Sequence, residues 1–210
     1  VVDGEVSGNR IAKPKILDPS SNRVKPPCPH FKTCGGCALQ HASDPFLADW
    51  KAEVVRIALS AQDLQSTIRP TITSPANTLR RATFAATRTK KGVLIGFHGR
   101  ASGTVVDIPS CKLLHPDIMA TMPALEALTK IGASRKAGIS IAVTQSTAGP
   151  DIGVSDAKDA DGPMLVDLGS LVEKYSLARL SWNGEVVATR VNPIQQFDGI
   201  QVTPPPGAFL

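Results

Sequence analysis

The sequence contains no apolar run of about 18 residues, which is the length that a membrane-spanning helix requires. It also has no basic segment followed by an apolar stretch at its start, so we predict neither a transmembrane helix nor a signal peptide. Aromatic residues make up only 4% of the chain, and its core must therefore depend on Val, Ile, Leu and Ala. Together these absences predict a cytoplasmic protein without a membrane partner.

The rest of the composition is typical of a globular protein. The chain has 210 residues, of which 42% are hydrophobic and 20% charged, enough for one large domain or two small ones. Its net charge of +5 suits a polyanionic partner such as nucleic acid. The chain lacks an initiator Met and stops abruptly at Leu210, so we expect both ends to be cuts within a longer protein.

Hydrophobic periodicity predicts an α+β fold with helices on a mostly antiparallel sheet. Before the sheet we expect short strands and a linker over 1–25, an irregular cysteine loop, and a helix from Pro45 to Ala61. Asp44 is the expected helix cap, and Trp50 the expected core residue of this helix. Beyond Ser66, strands are predicted at 82–88, 93–97, 103–108, 138–146, 151–155 and 177–190, and helices at 116–130 and 167–175. The first two of these strands form a hairpin around Lys90-Lys91-Gly92.

The four cysteines have the spacing of a metal centre. Five residues separate Cys28 from Cys34, two separate Cys34 from Cys37, and Cys111 is remote. The pair Gly35-Gly36 permits a tight turn that aims two sulfurs inward and leaves backbone amides to donate to thiolates. Four thiolates are the number that [2Fe–2S], [4Fe–4S] or Zn²⁺ requires.

Two other interpretations of the cysteines remain open at this point. Disulfides could pair them in three ways, although the missing signal peptide argues against an oxidising compartment. A structural zinc site usually has two close cysteine pairs, whereas this chain has one triplet and one distant residue. His30 lies between two ligands, but four cysteines already complete a site without it.

A basic run between Leu79 and Arg100 contains no Asp or Glu. The predicted RNA-binding residues in it are Arg80, Arg81, Arg88, Lys90, Lys91 and Arg100. The alternative is that these residues form a solvent-exposed face without a ligand. Because side chains alternate along a strand, only some of them can lie on one side of the sheet. Gln40 and His41, directly after the cysteine loop, could contact RNA or brace the loop. Trp182 beside Asn183-Gly184 is expected to pack in the core and not to stack on a ligand.

The segment Pro27–His41, with its Cys-Gly-Gly-Cys-x-x-Gln-His motif, resembles the cluster loop of the bacterial RNA uracil-5-methyltransferases. These enzymes form 5-methyluridine in 23S ribosomal RNA or in transfer RNA. The resemblance continues in the same order at Leu79–Phe84, at Val105–Cys111 and at Gly199–Leu210. Two departures are Lys112, where relatives often have Pro, and the run His98–Thr104, which is less basic and aromatic than in relatives.

The resemblance implies a [4Fe–4S] cluster and a three-part chain. The implied cluster ligands are Cys28, Cys34, Cys37 and Cys111. Residues 1–25 would be the end of a TRAM-like β-barrel domain and a linker, and 26–65 the cluster loop and its helix. Residues 66–210 would be a central α+β domain that leads into an absent domain for S-adenosylmethionine.

The resemblance further implies the reaction of the full-length protein. A cysteine adds to uracil C6, C5 then takes the methyl group of S-adenosylmethionine, and a base removes the C5 proton. This chain has no cysteine after Cys111 and no Gly-x-Gly-x-x-Gly loop, so we predict that it is inactive alone and contains no catalytic or S-adenosylmethionine-binding residue. We expect a monomer acting on 23S rRNA, with transfer RNA as the alternative substrate.

Two other classes of protein compete with this interpretation. One is a zinc- or cluster-containing RNA-binding module without catalysis of its own. The other is a TRAM-containing radical S-adenosylmethionine enzyme. That class needs Cys-x-x-x-Cys-x-x-Cys and one open iron, whereas this chain has a longer first gap and a candidate fourth ligand.

Overall fold

The computed structural model describes residues 1–208, which divide into two compact units. The first unit consists of Val1–Phe31 and Cys37–Ser74, and the second of Lys32–Gly36 together with the chain from Pro75 onward. No helix of the described residues combines the length and apolarity needed to cross a membrane. The three-part division at residues 25 and 65 stays a prediction.

The first unit begins with four strands of two residues each. Strand β1 (Val2–Asp3) pairs antiparallel with β4 (Lys15–Ile16), and β2 (Val6–Ser7) pairs with β3 (Arg10–Ile11). The predicted short strands are therefore present, but residues 1–25 form no closed barrel. The assignment of this segment to a TRAM-like domain stays a prediction.

Helix α1 (Asp44–Ser60) is the one regular helix described in the first unit. It begins one residue before Pro45, and Ser43 occupies the cap position that we expected of Asp44. The prediction that Trp50 belongs to the core is wrong, because Trp50 is 44% exposed and no residue of α1 is buried. The helical spacing of apolar residues correctly predicted the helix, but it did not predict whether those residues are buried.

A seven-stranded sheet forms the second unit, in the order β11-β10-β9-β8-β5-β6-β7. The strands are β5 (Arg81–Arg88), β6 (Val93–His98), β7 (Val105–Asp107), β8 (Ile139–Ser146), β9 (Gly149–Ser155), β10 (Arg179–Trp182) and β11 (Glu185–Thr189). All neighbours are antiparallel except β9 and β10, which helix α4 (Gly162–Lys174) connects. The predicted α+β class with a mostly antiparallel sheet is confirmed.

The core of the second unit lies on one face of this sheet. Along β5, Ala82, Phe84 and Ala86 are buried while the alternating residues are more exposed, which is the pattern of a strand covered on one side. Helix α3 (Met122–Gly132) packs against β5, β6 and β8, and α4 packs against α3 and β11. Trp182 is 3% exposed and its Nε1 donates to the Lys158 carbonyl, so the packing role expected for it is confirmed.

Two predicted helices have different bounds in the structure. The helix expected over 116–130 is broken into α2 (Pro116–Met119) and α3, because Pro123 has no amide hydrogen to donate to residue 119. Helix α4 begins five residues before the predicted 167, at Gly162-Pro163, where the Asp161 carboxylate caps it by accepting from the Met164 amide at 2.9 Å.

The sequence analysis did not predict the final hairpin, β12 (Gln195–Phe197) with β13 (Ile200–Val202). Its turn, Asp198-Gly199, has positive φ at both residues (45° and 84°). Asp-Gly between two strands is a strong signal for this kind of turn, and it could have been recognised in the sequence.

Candidate functional site

The short segment around Cys34 is held against the end of β6. Cys34 forms a bridge with Gly99, the Gly35 amide donates to the His98 carbonyl at 2.9 Å, and the Arg100 amide donates to the Thr33 carbonyl at 3.1 Å. Cys34 is 9% exposed. The backbone of the β6–β7 connection therefore determines where this sulfur lies.

Backbone amides donate to two of the sulfur atoms. The Gly36 amide donates to Cys34 Sγ at 3.3 Å, and the Leu113 amide donates to Cys111 Sγ at 3.4 Å. Hydrogen bonds of this kind surround the thiolate ligands of iron–sulfur clusters and tune them. The amide predicted from the Gly35-Gly36 pair is therefore present at Gly36, and Cys111 has an equivalent donor.

Cys111 follows β7 in a segment that a second stretch of backbone holds. The Asn77 amide donates to the Lys112 carbonyl and the Leu79 amide to the Leu113 carbonyl, each at 2.9 Å. The His115 amide donates a hydrogen bond of 2.9 Å to the Leu79 carbonyl. Cys111 is half-buried at the edge of the hydrophobic core, so its position is part of the fold of the second unit.

In the first unit, Gln40 and His41 brace the loop that contains Cys28. The Gln40 Oε1 atom accepts from the Cys28 amide at 3.2 Å, and the His41 carbonyl accepts from the Val24 amide at 2.9 Å. The His41 ring lies 5.9 Å from the Phe31 ring, centroid to centroid. Of the two roles considered for these residues, the structure contains the bracing one, and contact with RNA stays a prediction.

The four cysteines provide a donor set that fits a four-thiolate centre. All four lie within the described residues, and none forms a disulfide. Cys28 and Cys37 belong to the first unit, Cys34 and Cys111 to the second. Across residues 1–208, no three His, Cys, Asp or Glu side chains meet in a group that could hold a metal ion. The shared four-cysteine site therefore stays a prediction from spacing and resemblance.

Arg80, Arg81 and Arg88 of the basic run contact their own chain. The Arg80 guanidinium lies 6.0 Å from the centroid of the Phe197 ring, and Arg81 Nη2 donates to the Gly207 carbonyl at 2.9 Å. Arg88 Nη1 donates to the Lys130 carbonyl at the end of α3, at 3.3 Å. Residues 81 and 88 have opposite parity in β5, so their side chains leave opposite faces of the sheet, as strand alternation predicts.

The remaining basic residues lie in exposed turns. Lys90 and Lys91 occupy the turn between β5 and β6, which the Thr89 amide closes by donating to the Gly92 carbonyl at 2.8 Å. Arg100 is exposed in the turn between β6 and β7. Lys90 and Lys91 are the members of the run that are best placed for a phosphate backbone.

The sequence analysis missed a buried ion pair between Asp151 and Arg179. These residues are 8% and 7% exposed, and Arg179 donates to both carboxylate oxygens of Asp151, at 3.0 and 2.7 Å. The available signal was a single charged residue in each of two strands that otherwise contain no charge. Such residues are almost never fully buried without a partner.

No family model matches the chain, but individual proteins do. The chain is 35% identical over 202 residues to an uncharacterized RNA methyltransferase of Brucella suis biovar 1, which covers 96% of this chain and 49% of that protein. It is 34% identical over 218 residues to one of Caulobacter vibrioides, with 100% and 52% covered. It is 36% identical to the 23S rRNA (uracil(1939)-C(5))-methyltransferase RlmD of Marinomonas sp. over 115 residues, 53% of this chain and 25% of that protein.

The similarity to the first two relatives extends over nearly the whole chain, which spans about half of their length. The match to the 23S rRNA methyltransferase covers a shorter part at similar identity. These relatives confirm the family that the cysteine motif and the later segments resembled. The chain therefore belongs to the bacterial RNA methyltransferase family whose members include 23S rRNA uracil-C5-methyltransferases.

Proposed function

We propose that this chain is the cluster-binding and RNA-binding part of an S-adenosylmethionine-dependent RNA uracil-C5-methyltransferase that acts on 23S rRNA. The observation that carries the proposal is the relationship to RNA methyltransferases along the whole chain, combined with the Cys28–Cys37 motif. S-adenosylmethionine would bind to a domain that this chain does not contain. The chain alone lacks a late cysteine for attack on uracil C6, so we expect no catalysis from it.

The four cysteines would ligate a [4Fe–4S] cluster. With all four irons held by thiolates, the cluster would stabilise the fold and leave no iron open for substrate. The protein contributes the thiolates and the amide donors of Gly36 and Leu113, which lie within hydrogen-bond distance of Cys34 and Cys111. Four cysteine thiolates also suit a closed zinc site, so the bound metal must be identified by metal analysis.

RNA would bind through the exposed cations of the basic run. Lys90 and Lys91 are exposed and have no neighbouring acidic residue in the run, so they would neutralise phosphates and make the affinity depend on salt, and Arg100 is a further candidate. Gln40 and His41 are further candidates for RNA contact. Phosphate contacts of this kind orient an RNA without reading its bases.

The activity is tested with the full-length gene product, purified anaerobically and incubated with S-adenosylmethionine and 23S rRNA lacking the modification. Mass spectrometry of the digested RNA should detect 5-methyluridine. The present chain, tested beside it, should form none. Methylation of another base, or transfer to tRNA in preference to 23S rRNA, would contradict the proposed substrate.

The cluster is tested by metal analysis of the same anaerobic protein. We expect four irons per chain and broad absorption near roughly 400 nm, as a four-thiolate cubane gives. Cys111→Ser should lower cluster content and thermal stability together. Stoichiometric zinc without iron would favour the zinc-containing RNA-binding module, and a Cys111→Ser protein with its full cluster would exclude Cys111 as a ligand.

A further inference from the structure

A row of polar residues crosses the face of the sheet opposite to α3. Arg81 on β5 is the direct partner of Thr144 on β8, Thr144 of Asp151 on β9, and Asp151 of Arg179 on β10. Direct partners in a sheet project from the same face. Neither α3 nor α4 covers this face, yet Asp151 and Arg179 are both more than nine-tenths buried.

The chain segment Pro204–Gly207 covers part of this row. Arg179 Nη2 donates to the Pro204 carbonyl at 2.9 Å in addition to its two bonds with Asp151. Arg81 Nη2 donates to the Gly207 carbonyl at 2.9 Å. Two arginines of the row thus hold two carbonyls of one segment, three residues apart, and Pro204 is buried there.

The composition of the segment explains why side chains hold it. Pro204, Pro205 and Pro206 have no amide hydrogen, so this stretch cannot join a strand ladder, and its carbonyls need donors from elsewhere. The segment ends in a turn, where Gly207 has a φ of 70° and the Ala208 amide donates to the Pro205 carbonyl at 3.1 Å. A segment held at both ends by arginine side chains has one defined direction, and we name residues 204–207 the proline strap.

The Asp151–Arg179 ion pair orients the guanidinium group that holds the Pro204 carbonyl. A buried pair often stabilises a fold no more than apolar side chains of the same size, because both charges lose their hydration. Asp151 accepts two of the guanidinium hydrogen bonds and thereby fixes the plane of Arg179. The third bond, to Pro204, then points in a set direction.

We propose that Arg179, oriented by Asp151, and Arg81 are positioning residues that hold the proline strap and thereby direct the following chain toward the methyl-transfer site. This proposal rests on the proposed function, in which the S-adenosylmethionine domain follows the strap. It also gives Arg81 a role other than the RNA contact predicted from the sequence.

The test uses the full-length protein with Asp151→Leu and Arg179→Met combined, so that no buried charge is left without its partner. Arg190→Met is the matched control. Arg190 also donates to carbonyls, those of Leu177, Ala148 and Ser176, but none belongs to the strap. The Ala208 amide donates to the Pro205 carbonyl of the strap at 3.1 Å, so its hydrogen exchange reports on the strap itself, and methyl-transfer kinetics report on the effect of the strap.

We expect the double variant to exchange the Ala208 amide about tenfold faster, while the control exchanges it as the wild type does. Its kcat should fall by roughly 10- to 100-fold, since small misplacements of reacting groups have effects of that order. Its KM for RNA should stay within about twofold, because no RNA contact is removed.

Three results would overturn the proposal. They are unchanged exchange in the double variant, faster exchange with an unchanged kcat, and a loss confined to the KM for RNA, which would make the row an RNA contact. An inactive wild-type protein would instead contradict the proposed function, and the exchange measurement would still decide whether Asp151 and Arg179 hold the strap.

Discussion

At the scale of single residues, the two glycines between Cys34 and Cys37 differ in the space around them. A Cβ atom on Gly35 would lie 2.7 Å from the His98 carbonyl oxygen, closer than real Cβ contacts allow. A Cβ atom on Gly36 would meet only Cys34 Sγ, at 3.5 Å, and Phe97 Cδ2, at 3.9 Å. The close approach of the cysteine segment to β6 thus requires a glycine at position 35.

Gly35→Ala should therefore destabilise the protein by about 1–3 kcal/mol, as overpacking of a tight contact does. The shift in the urea midpoint measures this effect. Gly36→Ala is the control and should change stability by no more than about 0.5 kcal/mol. Equal stabilities of the two variants would show that the loop does not approach β6 in the way described.

The sequence could predict part of this residue-scale picture. The Cys-Gly-Gly-Cys spacing indicated a tight turn with amides directed at sulfur, and the Gly36 amide does donate to Cys34. The different roles of the two glycines depend on His98, which lies more than 60 residues away in the chain. A contact over that separation leaves no local pattern. For Asp151 and Arg179 the sequence shows an isolated charge in each strand but does not show that the two residues pair.

At the scale of elements, local patterns predicted the strands well and the helix boundaries less well. The β5–β6 hairpin was predictable because alternation and a glycine-containing turn agree there. The single helix expected over 116–130 failed at Pro123, a residue that also starts helices and so gave an ambiguous signal. The exposed α1 shows that apolar periodicity predicts a helix but does not predict that its apolar side chains are buried.

The exposed lysines in the turn between β5 and β6 lead to a prediction about RNA binding. Lys90→Ala combined with Lys91→Ala should weaken RNA binding about equally for different sequences, since phosphate contacts do not read bases. The slope of log affinity against log salt should fall by about one unit per lost contact. Binding of the full-length protein at several salt concentrations measures both effects.

The matched control is Lys158→Ala combined with Lys174→Ala, which removes the same charge from two exposed lysines outside the basic run. Cluster content should be equal in both double variants, so that a lost contact is distinguished from lost folding. If both variants weaken binding alike, only the net charge matters. If neither does, the hairpin turn is a solvated surface.

At the scale of the whole molecule, the family was predictable from the sequence, while the place of Lys32–Gly36 in the second unit was not. The family could be identified because several short segments occur in the expected order from Pro27 onward. The structure joins Lys32–Gly36 to the second unit through pairing with the β6–β7 turn, although the flanking residues belong to the first. Such pairing between distant segments depends on tertiary structure that no local pattern encodes.

The proposed function is tested most directly by mass spectrometry of 23S rRNA from cells that lack the gene for this protein. We predict that one 5-methyluridine disappears from 23S rRNA and returns when the full-length gene is restored. A 23S rRNA that keeps all of its 5-methyluridine in the deletion strain would contradict the proposed uracil-C5-methyltransferase function.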